Sequence, residues 1–167
     1  MSNGGFDAEA IVRILQRNQV EFVVIGGIAG QLWGSPTITQ DLDICHAREK
    51  TNLEHLAAAL RELNARLRGV KEDVPLRLDA RTLFNGDSFT FTTDFGALDC
   101  LATPSGTSGY ADLTQAAEAM PVGGGLRVFV CSIDDLVRMK RAAGRTKDRL
   151  ELEHLGALRD ERDRRKR

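Results

Sequence analysis

Between Val20 and Ile44 the chain sets out a strand, a break, a short helix and a second strand in close succession. Val20 to Ile25 is a compact β-branched run that reads as a buried strand. Gly26-Gly27 breaks it sharply, and a short helix is expected over Ile28 to Trp33, closed by Gly34-Ser35-Pro36. Ile38 to Ile44 then alternates apolar and polar positions, as a half-buried strand does. Two strands so near each other, with a helix between them, demand a mixed architecture.

The remaining patterns extend that frame. Asp7 can cap a helix running to about Arg17, with Ile11, Val12 and Leu15 on one face. Leu53, Leu56, Leu60, Leu63 and Leu67 step alternately by three and four, which predicts an amphipathic helix ended at Gly69. Ser88 to Thr93 and Ala97 to Ala102 read as strands around an Asp94-Phe95-Gly96 turn. A helix is expected over Tyr110 to Met120, then a strand at Leu126 to Cys131 after Gly123-Gly124-Gly125. Ser132 with Asp135 resembles a capping box opening a helix to about Ala143. Gly144 breaks it, and a last helix carries Leu152, Leu155 and Leu158. The expectation is an α/β (α+β) fold with a mixed sheet of about four or five strands flanked by helices. One domain is expected over 1–167, with a core over about 20–131 and a helical, basic segment over 132–167.

Composition narrows the class. With 42% apolar and 28% charged residues the chain is not expected to be a disordered tail, and apolar runs of about six residues fall far short of the roughly 20 that span a bilayer. Its start, Met1-Ser2-Asn3-Gly4-Gly5, shows no basic-then-apolar leader. Cys45, Cys100 and Cys131 are scattered and lack CxxC spacing, which excludes a disulfide scaffold and a zinc finger. A cytoplasmic protein is expected. The formal net charge of -1 hides a gradient, because 12 of the 23 basic side chains fall in residues 138–167 beside only 6 of the 24 acids. An acidic body with a basic end suits a metal site beside a phosphate-rich partner, or simply a solvated basic helix.

Asp41-Leu42-Asp43 is the chemical centre. On a strand, residues i and i+2 share a face, so both carboxylates point one way while Leu42 points to the core. Such a pair is either solvated on an edge strand or held by a divalent cation. Asp99, bracketed by Ala97-Leu98 and Cys100-Leu101, either faces solvent or completes an oxygen-rich cradle for two Mg²⁺ ions. Upstream, Gly26-Gly27 at a helix start offers backbone amides that can approach a phosphate.

Four blocks in order resemble the DNA polymerase β-like nucleotidyltransferases, and more narrowly the AbiEii and MenT-type toxin group. They are Ile25-Gly26-Gly27-Ile28-Ala29, Asp41-Leu42-Asp43-Ile44, Phe95-Gly96-Ala97-Leu98-Asp99, and the late stretch from Asp135 through Lys140 to Asp148. Gly26-Gly27 replaces the Gly-Ser frequent in the superfamily, and Thr37 stands where an arginine is often found four residues before the first aspartate.

The resemblance implies transfer of a nucleoside monophosphate from an NTP to an acceptor hydroxyl, with Mg²⁺ or Mn²⁺. It implies that Asp41, Asp43 and Asp99 hold metal and that Gly26, Gly27, Thr39 and Lys140 contact the nucleotide. Asp99 would also help to deprotonate the acceptor. Lys140 would neutralise the triphosphate, and Asp148 would orient Lys140 or the nucleotide. Read from the residues alone, Lys140 could instead be a solvated helix lysine and Asp148 a helix cap. Thr39 shares strand parity with the two aspartates and is a possible regulatory phosphorylation site, since a dianion there would repel the triphosphate. The resemblance further implies a toxin that modifies the 3′ acceptor end of tRNA, blocks translation and answers to a cognate antitoxin, kinase-like or binding. A pyrimidine NTP is one possible donor. Aromatics are only 5% of the chain, so backbone contacts rather than base stacking would carry RNA binding. The alternatives are a nucleotidyltransferase acting on an antibiotic or a partner protein, and a catalytically inactive nucleotide- or RNA-binding module.

Overall fold

Asp7 caps the first helix through its carboxylate, which accepts from Ala10 N at 3.0 Å. That helix, α1 (Ala8–Arg17), buries Ile11, Val12, Ile14 and Leu15. The computed structural model describes residues 5–70, 77–144 and 148–167, with Asp148 by its backbone alone. From α1 the chain enters β1 (Phe22–Ile25), α2 (Gly26–Trp33), β2 (Asp41–His46) and α3 (Lys50–Glu62). Then follow β3 (Arg66–Leu67), α4 (Ala80–Asn85), β4 (Ser88–Thr93), β5 (Gly96–Leu101) and α5 (Tyr110–Thr114). A hairpin of β6 (Glu118–Gly123) and β7 (Leu126–Val130) precedes α6 (Ile133–Ala143) and α7 (Asp148–Arg165). Ser132 caps α6, accepting from Asp135 N at 3.0 Å, and Gly144 closes it in the left-handed conformation.

The strands form one sheet in the order β3-β4-β5-β2-β1-β7-β6. β2 runs parallel to β5 and β1 parallel to β7, while the other pairs are antiparallel. The mixed sheet agrees with the sequence, but its seven described strands exceed the four or five expected. Both extra strands lie at the edges. The leucine-rich helix stops at Glu62 rather than near Gly69, because Asn64 turns the chain at φ 51° and Arg66–Leu67 pairs with β4. Leu63 still reaches the core. Likewise the helix predicted to run to Met120 ends at Thr114, and Glu118–Gly123 folds back on β7 through three positive-φ glycines. Pro121 is tolerated there because β6 is an edge strand.

Two boundaries near the Gly-Gly break also move. α2 starts at Gly26 itself, two residues before the expected position, and β2 spans Asp41–His46 instead of Ile38–Ile44. Leu42, Ile44, Leu98 and Cys100 are fully buried, so the two central strands anchor the core. Each such aliphatic side chain contributes about 2 kcal/mol of burial. The three cysteines are buried free thiols, and desolvation pushes Cys45 up to about 12. Among the described residues, no helix is long and apolar enough to cross a membrane.

One buried group is poorly served. His46, at the end of β2, is 1% exposed and neither ring nitrogen has a hydrogen-bond partner. Burial, then the Arg48 charge, lowers its pKa to about 4. The unfolded chain therefore binds a proton through this imidazole between about pH 6.5 and 4, whereas the folded chain does not. Stability should fall as pH drops through that window. His46→Phe should flatten the fall and raise stability at pH 7 by about 1 kcal/mol, because no partner is stranded. Urea melts of both proteins from pH 7 to 4 would check it, and an unchanged pH profile would count against it.

Candidate active site

Strand register assembles the three acids. In the parallel pair of β2 and β5, Asp43 lies beside Asp99 and Asp41 beside Ala97, while β1 places Ile25 against Asp43. Residues in register share a face, and so do residues two apart, so all three carboxylates emerge together. One oxygen from each of Asp41, Asp43 and Asp99 lies within 4.8 Å of the other two. Among the described residues this is the one group of His, Cys, Asp or Glu that could share a metal ion. β2 is an interior strand, so the pair is not the solvated edge pair that a lone DxD also allows.

Crowding leaves its mark on Asp43. Burial, the charge of Asp41 and contact with Asp99 push its carboxyl up to about 8, and the positive charge of Lys140 acts in the opposite direction. Crowding by two acids thus favours the protonated form of Asp43. A hard divalent cation favours oxygen ligands and relieves the same repulsion, so the donor set fits Mg²⁺ or Mn²⁺.

The Gly-Gly break is explained by what stands against it. Gly26 has φ 67°, and a Cβ there would lie 2.0 Å from Asp43 Oδ2. A Cβ on Gly27 would lie 2.9 Å from the Thr39 Cβ. Both glycines therefore let the start of α2 approach the aspartate strand. No side chain caps that helix, and Ile25, Gly26 and Gly27 line a cleft of about 740 Å³ shared with the three acids. Backbone amides at the helix start and its dipole favour an anion in this cleft.

Thr39 lies just ahead of β2, not on it, so strand parity was the wrong reason to place it at the site. Its hydroxyl nevertheless donates to Asp41 Oδ1, and it lines the cleft. Lys140, on α6, lines the same cleft. Asp148 opens α7, but its side chain lies outside the described residues.

Two residues that sequence reading passed over belong to this site. Glu151, on α7, is 5% exposed and lines the cleft. It accepts from Ser35 Oγ at 3.0 and 3.1 Å and from Thr37 Oγ1, and a Cβ on Gly30 would come within 2.7 Å of it. The loop from α2 to β2 is thereby clipped to α7. Glu151, Leu155 and Leu158 step by four and three, so an acid on an apolar stripe was the available signal. The second is Arg68, just past β3, whose Nη2 donates to Asp99 Oδ1 at 2.9 Å. Nothing in the linear sequence marks it.

Part of the basic segment is paired with acids. Arg138 pairs with Asp112 and Asp135, and Arg159 and Arg162 pair with Asp134. Arg145 and Lys147 lie outside the described residues.

Comparison by sequence finds no matching family model and no matching curated protein. Comparison of folds is informative. The lincosamide antibiotic adenylyltransferase LnuA, with lincomycin bound, superposes with a TM-score of 0.62 at 12% identity, over 92% of this chain and 99% of that one. The chain has the nucleotidyltransferase fold. The antibiotic-resistance factor ANT(2'')-Ia matches with a TM-score of 0.54 at 18% identity, over 93% of this chain and 88% of that one. A candidate nucleotidyltransferase of Thermotoga maritima, TM1012, matches at 0.51 and 14% identity, covering 92% and 96%. In this nucleotidyltransferase fold, β2 and β5 supply the three acids, and residues of α2 and α6 line the same cleft.

Proposed function

We propose that the chain is a divalent-metal-dependent nucleotidyltransferase that moves a nucleoside monophosphate from an NTP to a hydroxyl of a small molecule. The observation that carries this reading is the oxygen triad of Asp41, Asp43 and Asp99 within 4.8 Å, in one cleft with a helix start and Lys140.

Asp41, Asp43 and Asp99 hold the metal, which when bound draws charge from the reacting phosphoryl oxygens. The amides of Gly26 and Gly27 and the Lys140 ammonium receive the triphosphate, the lysine as a point charge. The acceptor oxygen forms a bond to the α-phosphorus, the bond from that phosphorus to pyrophosphate breaks, and Asp99 takes up the hydroxyl's proton. Thr39 holds Asp41 in place through its hydroxyl. A phosphate on Thr39 would put a dianion beside that carboxylate and disable the site.

The choice of acceptor follows from charge. Among the described residues the cleft is lined by Asp41, Asp43, Asp99 and Glu151, with Lys140 in the lining and Arg68 on Asp99, an acid-rich surround that suits a neutral or cationic acceptor beside the metal-borne triphosphate. Two of the fold neighbours, LnuA and ANT(2'')-Ia, are antibiotic-resistance proteins by name, so hydroxyl-bearing antibiotics are the first acceptors to test. A second reading, the tRNA-modifying toxin implied by the AbiEii and MenT resemblance, draws support from Arg141, Arg149 and Lys166, which are exposed on the basic segment.

The test uses Mg²⁺ and each α-labelled NTP in turn, with lincosamides, aminoglycosides or total tRNA, beside an Asp41→Ala control. Label on a drug, lost in the control, is the expected result. Label on tRNA alone would replace the small acceptor with the second reading. No transfer to any acceptor and no NTP binding would leave only an inactive module.

A further inference from the structure

We propose that Arg68 is a resident counter-cation of the acid triad, which weakens its hold on a free divalent ion so that metal enters together with the nucleotide. This rests on the reading of Asp41, Asp43 and Asp99 as the metal ligands.

Arg68 is fixed in place rather than merely nearby. Its backbone N–H donates to Thr90 O at 2.9 Å, so it prolongs the β3–β4 pairing by one residue. Its side chain crosses β4, and the same Nη2 donates to Phe91 O and to Asp99 Oδ1, both at 2.9 Å. The carbonyl anchors the guanidinium, so the charge stays over Asp99 instead of swinging into solvent. The contact is also selective. No described hydrogen bond or ion pair links Arg68 to Asp41 or Asp43, and the Asp99 side chain it contacts is 17% exposed.

A fixed positive charge on one ligand opposes a second cation on the same ligands. At a separation of about 6 Å even a water-like dielectric makes its removal worth about tenfold in divalent affinity. The same contact occupies Oδ1 of Asp99, so a cation must share that carboxylate or engage its other oxygen. An incoming metal–nucleotide complex brings its phosphates to Lys140 and α2 and gains contacts that a bare ion lacks. The triad therefore discriminates between a free ion and one already bound to nucleotide.

Mn²⁺ alone is the probe, titrated into nucleotide-free protein and followed by the electron paramagnetic resonance of the unbound ion. Arg68→Gln should bind Mn²⁺ about tenfold more tightly than wild type. Arg68→Lys, which keeps the charge, should stay within about threefold of wild type. Equal or weaker binding by Arg68→Gln in a protein with an unchanged circular dichroism spectrum would overturn the inference. So would equal tightening in Arg68→Lys, since the charge would then not be the cause. If wild type fails to bind Mn²⁺ even with an NTP present, the metal reading itself fails and this inference fails with it.

Discussion

Asp43→Asn should abolish nucleotidyl transfer while leaving the protein at least as stable as wild type. Asp43 sits between Asp41 and Asp99 on interior strands, and its carboxyl is pushed up to about 8 by burial and by its acidic neighbours. An amide there removes a metal ligand, with a loss of several kcal/mol of transition-state stabilisation, or about a thousandfold in rate or more. Folding sees the opposite effect. Between the ordinary carboxylate range and about pH 8 the unfolded wild-type chain has released this proton while the folded chain still holds it, so wild type loses stability as pH rises through that window. The melting temperature of the metal-free variant should thus match wild type near pH 4, exceed it by a growing margin up to about pH 8, and keep that margin in alkaline buffer. Pyrophosphate release and thermal melts with EDTA would test both halves. Residual activity within tenfold of wild type would remove Asp43 from the reaction.

Gly26→Ala should be nearly as damaging, for a reason unrelated to any loss of charge. The φ of 67° costs a non-glycine residue about 1 kcal/mol. The added Cβ would also fall 2.0 Å from Asp43 Oδ2, so the carboxylate or the helix start has to shift. A misplacement of about 1 Å at a reacting centre is worth about a hundredfold in rate. Gly69→Ala is the useful comparison, because that glycine has φ 78° with nothing within 4 Å of its Cβ position. It should share the backbone penalty and keep its activity. If the two variants lose activity equally, the contact with Asp43 is not what makes Gly26 necessary.

Much of this was legible before any coordinates, and the reasons are local. The capping of α1 by Asp7 and of α6 by Ser132 depends on residues three apart. Asp41, Leu42 and Asp43 follow strand parity, and their neighbour Asp99 was found because an acid inside an apolar strand stands out. The failures needed information that sequence periodicity lacks. A leucine at position 67 fits a helical step and a strand equally well, and only pairing with β4 decided between them. Glu118–Gly123 became a strand because three glycines turned it back on β7, a preference that its own residues do not display. Thr39 reached Asp41 from a loop, so the correct residue had been chosen for the wrong geometric reason. Arg68 and Asp99 are 31 residues apart, and no spacing rule links them.

The clip between Glu151 and the loop at Ser35 and Thr37 has a temporal meaning. Chains emerge from the ribosome N-terminus first, and the aspartate strand, the glycine break, Asp99 and Lys140 are all made before Glu151. Until α7 arrives, the loop that carries Thr39 lacks the buried carboxylate that holds it, and Gly34 lacks Leu158 against it. A nascent or prematurely terminated chain thus carries the acids without the finished wall. Synthesis of α7 thus sets the last wall of the cleft in place, after every acid of the triad has been made.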